Sequence, residues 1–475
     1  MSNVRYICLS DLHLGEEDSL LTDAEDRSRP SLVLQRFTEC LAEVLRHNDA
    51  GAPKPSLILA GDVLELALCP VDQTLIVFEQ FLRCMMPSSS ELFGEIVYLP
   101  GNHDHHAWQA AREEQYLNHL GRLAPGEPVD APWDTTKVVM DLAGKDRLVN
   151  GLATAVARRL PHLRDRNFEI LTAYPNFGVQ DASGRTVVFH HGHFIEPAYR
   201  FFSTLASLFF PDQGLPEDVY TLEKENASWI DFFWSTLGDR GRIGTDAESV
   251  FEATIDDRSL QRMTDTLAGS IAVNYPVPKW APRFLREWTL KAVLKEAASS
   301  TATGLERRQA GGGAPLSPQA VEGLRWYVDG LLRRQFRDEK VTEPETISFV
   351  LGHTHKPFVE HWDRTRILNT GGWVLDAPRL QPLHGAAAVL VGEDLAAISI
   401  RCYNEGRYTA TVEEPVAAGA AESAFCGEIR SVLGEHEQPW KAFGETVRAE
   451  LELRAANFAK RLDERAAAAK GPQRG

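Results

Sequence analysis

The stretch Leu99-Pro-Gly-Asn-His-Asp-His-His106 decides how the rest of the chain reads. An apolar run, Glu95 to Leu99, stops at Pro100-Gly101, and Asn102, His103 and Asp104 follow at once. A strand that ends in Pro-Gly delivers its next residues to a loop at the sheet edge. An amide oxygen, an imidazole and a carboxylate at one strand end have the donors to bind a metal ion or move a proton. Asn-His-Asp is also good turn chemistry, so the block gains meaning only if others like it occur.

They do. Val4 to Leu9 reads as a buried strand running into Ser10-Asp-Leu-His-Leu-Gly15, which leaves Asp11 and His13 in the following loop. Ligands of α/β sheets bind outside the carboxyl ends of strands, and an i, i+2 pair on extended chain can approach one point. Ser56 to Ala60 is a second strand, ending at Gly61-Asp62-Val-Leu-Glu65. Helical spacing over Ser31 to Asn48 and Thr74 to Met86 separates these strands. Phe168 to Thr172 and Thr186 to His190 read as strands joined by the turn Asp181-Ala-Ser-Gly184, and the second ends in His190-His-Gly-His193. Ile347 to Leu351 ends in Gly352-His-Thr-His355, Arg366 to Leu368 leads to Asn369-Thr-Gly-Gly-Trp373, and Ala386 to Val391 and Ala396 to Arg401 read as antiparallel strands.

Composition narrows the function classes. The chain has 475 residues, 43% of them apolar, which is enough for a large core. A net charge of −17 repels phosphate backbones and disfavours general nucleic-acid binding. Six cysteines without a Cys-x-x-Cys pair read as buried thiols in a reducing compartment. No signal peptide or membrane-length apolar run is evident, so a cytoplasmic location is expected.

Five strand ends thus offer Asp, His and Asn, which are hard to explain as ordinary turns. That donor set, without thiolate, suits Mn, Fe, Zn, Ni or Co. It exceeds one tetrahedral site, so two metals sharing a carboxylate are the natural reading. Such pairs hold a nucleophilic hydroxide and stabilise both oxygens in phosphoryl transfer.

Asp11-x-His13, Gly61-Asp62, Gly101-Asn102-His103-Asp104, His191-Gly192-His193 and Gly352-His353-x-His355, in this order, resemble the motif set of the calcineurin-like metallophosphoesterases. The Gly352 to Pro357 and Asn369 to Trp373 segments look most like the UDP-2,3-diacylglucosamine hydrolase branch. The resemblance covers residues 4–193 and 346–401. It implies a four-layer α/β/β/α sandwich and a hydrolase of phosphoric ester or pyrophosphate bonds. It also implies that Asp11, His13 and His355 hold one metal, that Asn102, His191 and His353 hold the other, and that Asp62 bridges them. His103 would face the scissile phosphate, with Glu65 reaching its ring. Manganese is the metal expected for both sites. A nuclease of the same superfamily and a non-catalytic metal-binding scaffold are the alternatives.

Residues 195–345 differ in character, being helix-like and dense in aromatics. They are expected to form a helical cap inserted into a catalytic domain made of 1–194 and 346–408, with 409–475 a helical C-terminal extension. The cap should set substrate choice and be dispensable for metal binding. Its apolar Tyr199 to Phe210 run has three readings: packing, a groove for an apolar substrate group, or peripheral contact with a membrane. Arg200 and His193 are candidate contacts to a phosphorylated small or lipid-linked substrate. Trp280 to Leu294 adds basic residues beside aromatics.

Overall fold

The computed structural model describes residues 2–144, 146–210, 212, 214–236 and 313–469. Two sheets face each other. The first has the order β12-β11-β10-β1-β2-β3-β4 and the second β5-β6-β7-β9-β8. β1 (Val4–Leu9), β2 (Ser56–Ala60), β3 (Glu95–Leu99) and β4 (Leu171–Thr172) run parallel. β10 (Gly385–Gly392), β11 (Ala397–Asn404) and β12 (Thr411–Glu413) extend that sheet antiparallel from β1. In the second sheet β6 (Thr186–His190) and β7 (Ile347–Leu351) are parallel. β5 (Asn176–Gln180), β8 (Phe358–Trp362) and β9 (Thr365–Asn369) complete it.

Three apolar cores separate four layers. Alternate residues of a strand point to opposite faces, so β1 sends Ile7 and Leu9 outward and Cys8 inward. Between the sheets, Cys8, Ile58, Val97 and Val389 meet Phe177, Val187, Phe189 and Val350. Outside the first sheet lies α1 (Leu32–Leu45), whose N-cap Ser31 accepts from the Leu34 N–H and whose buried face is Val33, Leu34, Phe37, Cys40, Leu41 and Val44. α2 (Val71–Met85) and α3 (His105–Leu120) follow β2 and β3, as parallel strands require helical crossovers. Two short helices, α4 (Gly151–Ala157) and α5 (Pro161–Asp165), lead to β4.

The same outer layer takes up the end of the described chain. α10 (Ala424–Glu435) and α11 (Glu437–Ala469) put Phe425, Ile429, Trp440, Phe443, Val447 and Leu451 into the core that holds α1. α11 is polar on average, yet Phe443 sits against Phe37 and Trp373. Arg454 and Arg461 bind the loop that follows Asp11 and His13: Arg454 donates to the carbonyls of Glu17 and Thr22, and Arg461 pairs with Glu17 and Asp18.

The second sheet is covered by the described parts of 195–345. These are α6 (Phe201–Phe209), α7 (Val219–Trp229) with a π-helical turn at Ile230–Ser235, and α8 (Pro318–Arg325) continuing by another π-helical stretch, Trp326–Leu332, into α9 (Arg333–Asp338). Phe194, Tyr199, Leu222, Ile230, Leu324, Tyr327, Leu331 and Phe336 share one core with Val188, Ile347, Phe349 and Ile367 of the sheet. The described residues of the insertion thus pack on the second sheet as the fourth layer. Trp280 to Leu294 lies outside the described residues.

One strand assignment also changes. The hairpin partner of β6 is β5, Asn176–Gln180, while Leu171–Thr172 pairs with β3 in the other sheet. Asn176 and Gly178 carry little strand propensity, so pairing with β6 decides that segment. Among the described residues no helix is long and apolar enough to cross a membrane. All six cysteines are free.

Candidate metal centre

The parallel order of β1, β2 and β3 puts the loops after them at one sheet edge, and β6 and β7 bring theirs to the same place. The loops are laced by backbone. The Asp11 N–H donates to Gly61 O at 2.9 Å and the His13 N–H to Asp62 O at 2.9 Å. Both oxygens of Asp11 accept from the His353 N–H at 2.9 Å, which ties β1 to the second sheet. Asp104 is wholly buried and accepts from the backbone N–H groups of Asp62, Val63, Leu64 and Gly101 and from the Tyr98 hydroxyl. Its role is to fix the loops.

Space is as tight as the hydrogen bonding. A Cβ on Gly61 would lie 2.4 Å from His191 Nδ1, and one on Gly352 2.0 Å from Asp11 Oδ2. Asp11, His13, Asp62, His353 and His355 all have positive φ, between 44° and 71°. Non-glycine residues pay on the order of 1–3 kcal/mol each for such backbone, and it persists where the surroundings over-determine it. Five of the nine non-glycine residues with positive φ among the described residues stand at this one place.

The side chains converge in three adjoining groups, one of which is His13, Glu65 and His103. Asp11, His13 and His355 form one potential metal cluster and Asp62, His191 and His353 another. His13 Nε2 lies 3.2 Å from His355 Nε2, which lies 3.4 Å from Asp11 Oδ1. His191 Nε2 lies 3.0 Å from Asn102 Oδ1, 3.2 Å from His353 Nδ1 and 3.3 Å from Asp62 Oδ2. The same Asp62 oxygen is 3.9 Å from His13 Nε2, and its Oδ1 accepts from the His103 N–H at 2.7 Å. Each of these side chains is at most 4% exposed.

The outward nitrogens of His13, His355 and His191 each meet a hydrogen-bond acceptor, and that of His353 stands at ion-pair distance from a carboxylate outside hydrogen-bond geometry. His13 Nδ1 is 2.7 Å from Glu65 Oε2, His355 Nδ1 is 2.7 Å from Asp376 Oδ2, and His191 Nδ1 is 3.1 Å from Ala60 O. His353 Nε2 is 3.0 Å from Glu196 Oε1. Such partners fix the tautomer, so the inward nitrogens turn lone pairs toward one another and toward carboxylates. Lone pairs about 3 Å apart need a proton or a cation between them. Burial pushes the His191 imidazole down, but the Asp62 carboxylate outweighs it and lifts it to about 9. His355 is likewise depressed by burial and lifted to about 9 by Asp376 and Asp11. Burial raises Asp62, yet the imidazoles of His191 and His103 hold it well below the usual carboxylate range. The donor set and its charge therefore fit divalent cations.

His103 adjoins these clusters. Its Nδ1 lies 2.9 and 2.8 Å from the two oxygens of Glu65, the same carboxylate that holds His13. The other two substrate candidates are His193, whose ring lies 5.6 Å from that of His191, and Arg200. His193 packs between Phe194, Tyr174 and Tyr199, with Nε2 3.3 Å from the Tyr174 hydroxyl. Arg200 lies over the Trp326 ring at 4.5 Å and donates to the Ile195 carbonyl at 3.4 Å. His190 points into the core against Tyr327 and Phe349.

Sequence reading missed Glu196, Asp376, Glu223 and the burial of His105. His105 is fully buried, 3.0 Å from Glu223 Oε1 of α7, and the Tyr174 hydroxyl donates to Glu223 Oε2 at 2.9 Å. This network ties α3, just after the Asn102–Asp104 block, to the insertion. Glu196 lies three residues past His193 and Asp376 three past Trp373, so both stretches had been singled out without these residues. The available signal was general: a ligating imidazole needs an acceptor on its other nitrogen.

No protein-family model and no curated protein matches the chain. Among solved structures it is similar to the phosphopantetheinyl hydrolase PptH of Mycobacterium tuberculosis, at 16% identity over 78% of this chain and 90% of that one, with a TM-score of 0.22. It is also similar to a proposed 5′-nucleotidase of Staphylococcus aureus, at 11% identity over 91% of this chain and 58% of that one, with a TM-score of 0.25. At that level of superposition neither likeness bears on mechanism.

Proposed function

We propose that the chain is a dimetal phosphoesterase that hydrolyses a phosphoric ester or pyrophosphate bond in a small or amphiphilic substrate. The observation that carries this is the convergence of inward-facing imidazole nitrogens and carboxylates in two adjoining groups, Asp11–His13–His355 and Asp62–His191–His353, with Asp62 Oδ2 3.9 Å from His13 Nε2. Asp11, His13 and His355 would hold one ion, Asn102, His191 and His353 the other, and Asp62 both. Bound there, a manganese pair would supply an activated water and charge neutralisation of the phosphoryl oxygens. Zn, Fe, Ni and Co suit the same donors.

The chain's own residues do the rest. Glu65 lies against Nδ1 of His103 and orients the ring, so Nε2 is the atom that would give a proton to the leaving oxygen or steady its charge. Asp104 and the backbone lacing hold the loops so that little reorganisation accompanies the reaction. The exposed rings of Phe202, Phe210 and Phe232 on the insertion keep an amphiphilic substrate, or a membrane surface presenting one, within the proposal.

The test is hydrolysis by the manganese-reconstituted chain of a panel comprising an aryl phosphate, nucleotides, cyclic nucleotides, sugar phosphates, UDP-sugar lipids and single-stranded DNA. Metal-dependent turnover of a phosphoester is expected. Two tightly bound ions with no turnover on any member would leave the scaffold reading instead.

A further inference from the structure

We propose that Glu196 is a positioning residue for His353, and that through it the first turn of the insertion helps to build the second metal site. This rests on the dimetal reading above. His353 has one nitrogen on each side of the question: Nδ1 stands 3.2 Å from His191 Nε2 within the Asp62 group, and Nε2 stands 3.0 Å from Glu196 Oε1. A carboxylate behind Nε2 keeps the proton there and leaves the Nδ1 lone pair for the ion. Glu65 on His13 and Asp376 on His355 hydrogen-bond the far nitrogens of the other group, whereas Glu196 meets His353 Nε2 as an ion pair at 3.0 Å outside hydrogen-bond geometry.

The turn carrying Glu196 is held at both ends. Ile195 N–H donates to Gly192 O at 3.0 Å and Glu196 N–H to His193 O at 3.1 Å, so the turn is rigidly attached to the His191 loop. On the other side α8 presses on it: a Cβ on Gly323 would lie 2.0 Å from the Ile195 carbonyl oxygen. Tyr199, one turn on, sets its ring edge-on to His353 at 4.9 Å. Glu196 is 1% exposed. The His353 imidazole stands within ion-pair distance of this buried carboxylate.

A purely structural ion pair would make a different prediction from a positioning role. The full-length chain, stripped of metal, is titrated with Mn²⁺ by calorimetry. His353→Ala and His355→Ala mark which binding step belongs to which group. Glu196→Gln is then expected to weaken, by about 10–100-fold, the step that His353→Ala abolishes, and to spare the other. Asp376→Asn should do the reverse. Glu196→Asp, which keeps the charge but draws it back, should fall between Glu196→Gln and the unmodified chain. It is read by the same criterion if Glu196→Gln does not fold. The inference is overturned if both steps weaken equally, or if the His353-dependent step is unchanged while the unmodified chain binds two ions. An unmodified chain that binds no Mn²⁺ would instead sink the dimetal reading itself, and this inference with it.

Discussion

On the first-sheet side of the site, Asp11, His13, Asp62, Asn102 and His103 each follow a strand whose covering helix comes next in the chain. On the second-sheet side, His191 and His353 follow strands too, and His191 is backed by Ala60 O of β2, but the covering arrives from the insertion: Glu196 beside His353, α8 on the Ile195 turn, and the α8–α9 stretch on the outer face of β7. The first side is a series of local units. The second is assembled from chain segments far apart in sequence. A mutation on the first side should therefore act through the chemistry at one strand end, and one in the insertion through the stability of a whole layer.

The sharpest break in that contrast is excision. Replacing residues 196–340 with a short Gly/Ser linker uncovers the outer face of the second sheet, where Val188, Ile347, Phe349 and Ile367 are buried. Each such side chain is worth about 1.5–3 kcal/mol of burial, so the remainder should not fold cooperatively. Thermal unfolding followed by circular dichroism checks this. A cooperative, metal-binding product would show that the insertion is a separable cap after all.

Asp62→Asn comes next. Under the proposed function Asp62 is the shared ligand, standing 3.3 Å from His191 Nε2 and 3.9 Å from His13 Nε2, so both ions should be lost and turnover with them, as elemental analysis would record. Retention of two ions per chain would exclude a shared ligand. His103→Ala should cut turnover by about 10²–10⁴-fold while metal content stays near that of the unmodified chain. The loss should shrink for substrates with very acidic leaving groups, whereas equal losses would point to charge stabilisation rather than proton donation.

Glu223→Gln probes the seam between the two sides. It leaves His105 buried with Asp231 Oδ1 still 3.9 Å from Nδ1, so a cost of about 3 kcal/mol is expected, at the low end for a broken buried pair. The same pair sets the smallest effect, on pH. Burial depresses His105, but Glu223 and then Asp231 lift it to about 9. A folded value above the ordinary one of about 6.5 stabilises fully below pH ~6.5 and is lost as pH rises through 9. With manganese saturating, the melting temperature of the unmodified chain should fall from pH 7 to 9.5 more steeply than that of Glu223→Gln. Parallel slopes would remove His105 as the source.

What the sequence by itself determined is the strand-end pattern, and the motif resemblance it carries implied the two-sheet sandwich. Strand-length apolar runs followed at once by Gly, Asp, His and Asn are local signals, and they put Asp11, His13, Asp62, Asn102, His103, the His190–His193 cluster, His353 and His355 at strand ends, while the resemblance singled out His191. The Glu65–His103 contact was legible for the same reason, since Glu65 lies just past Asp62 on the loop that faces β3. Only the tertiary structure decided that Leu171–Thr172 belongs to the first sheet, that 316–336 covers the second, and that Glu196 and Asp376 stand behind His353 and His355. Those depend on pairing and packing between distant segments. A lone carboxylate after an aromatic or apolar stretch looks the same in sequence whether it faces water or the back of an imidazole. Burial distinguishes the two, and burial is a property of the assembled layers.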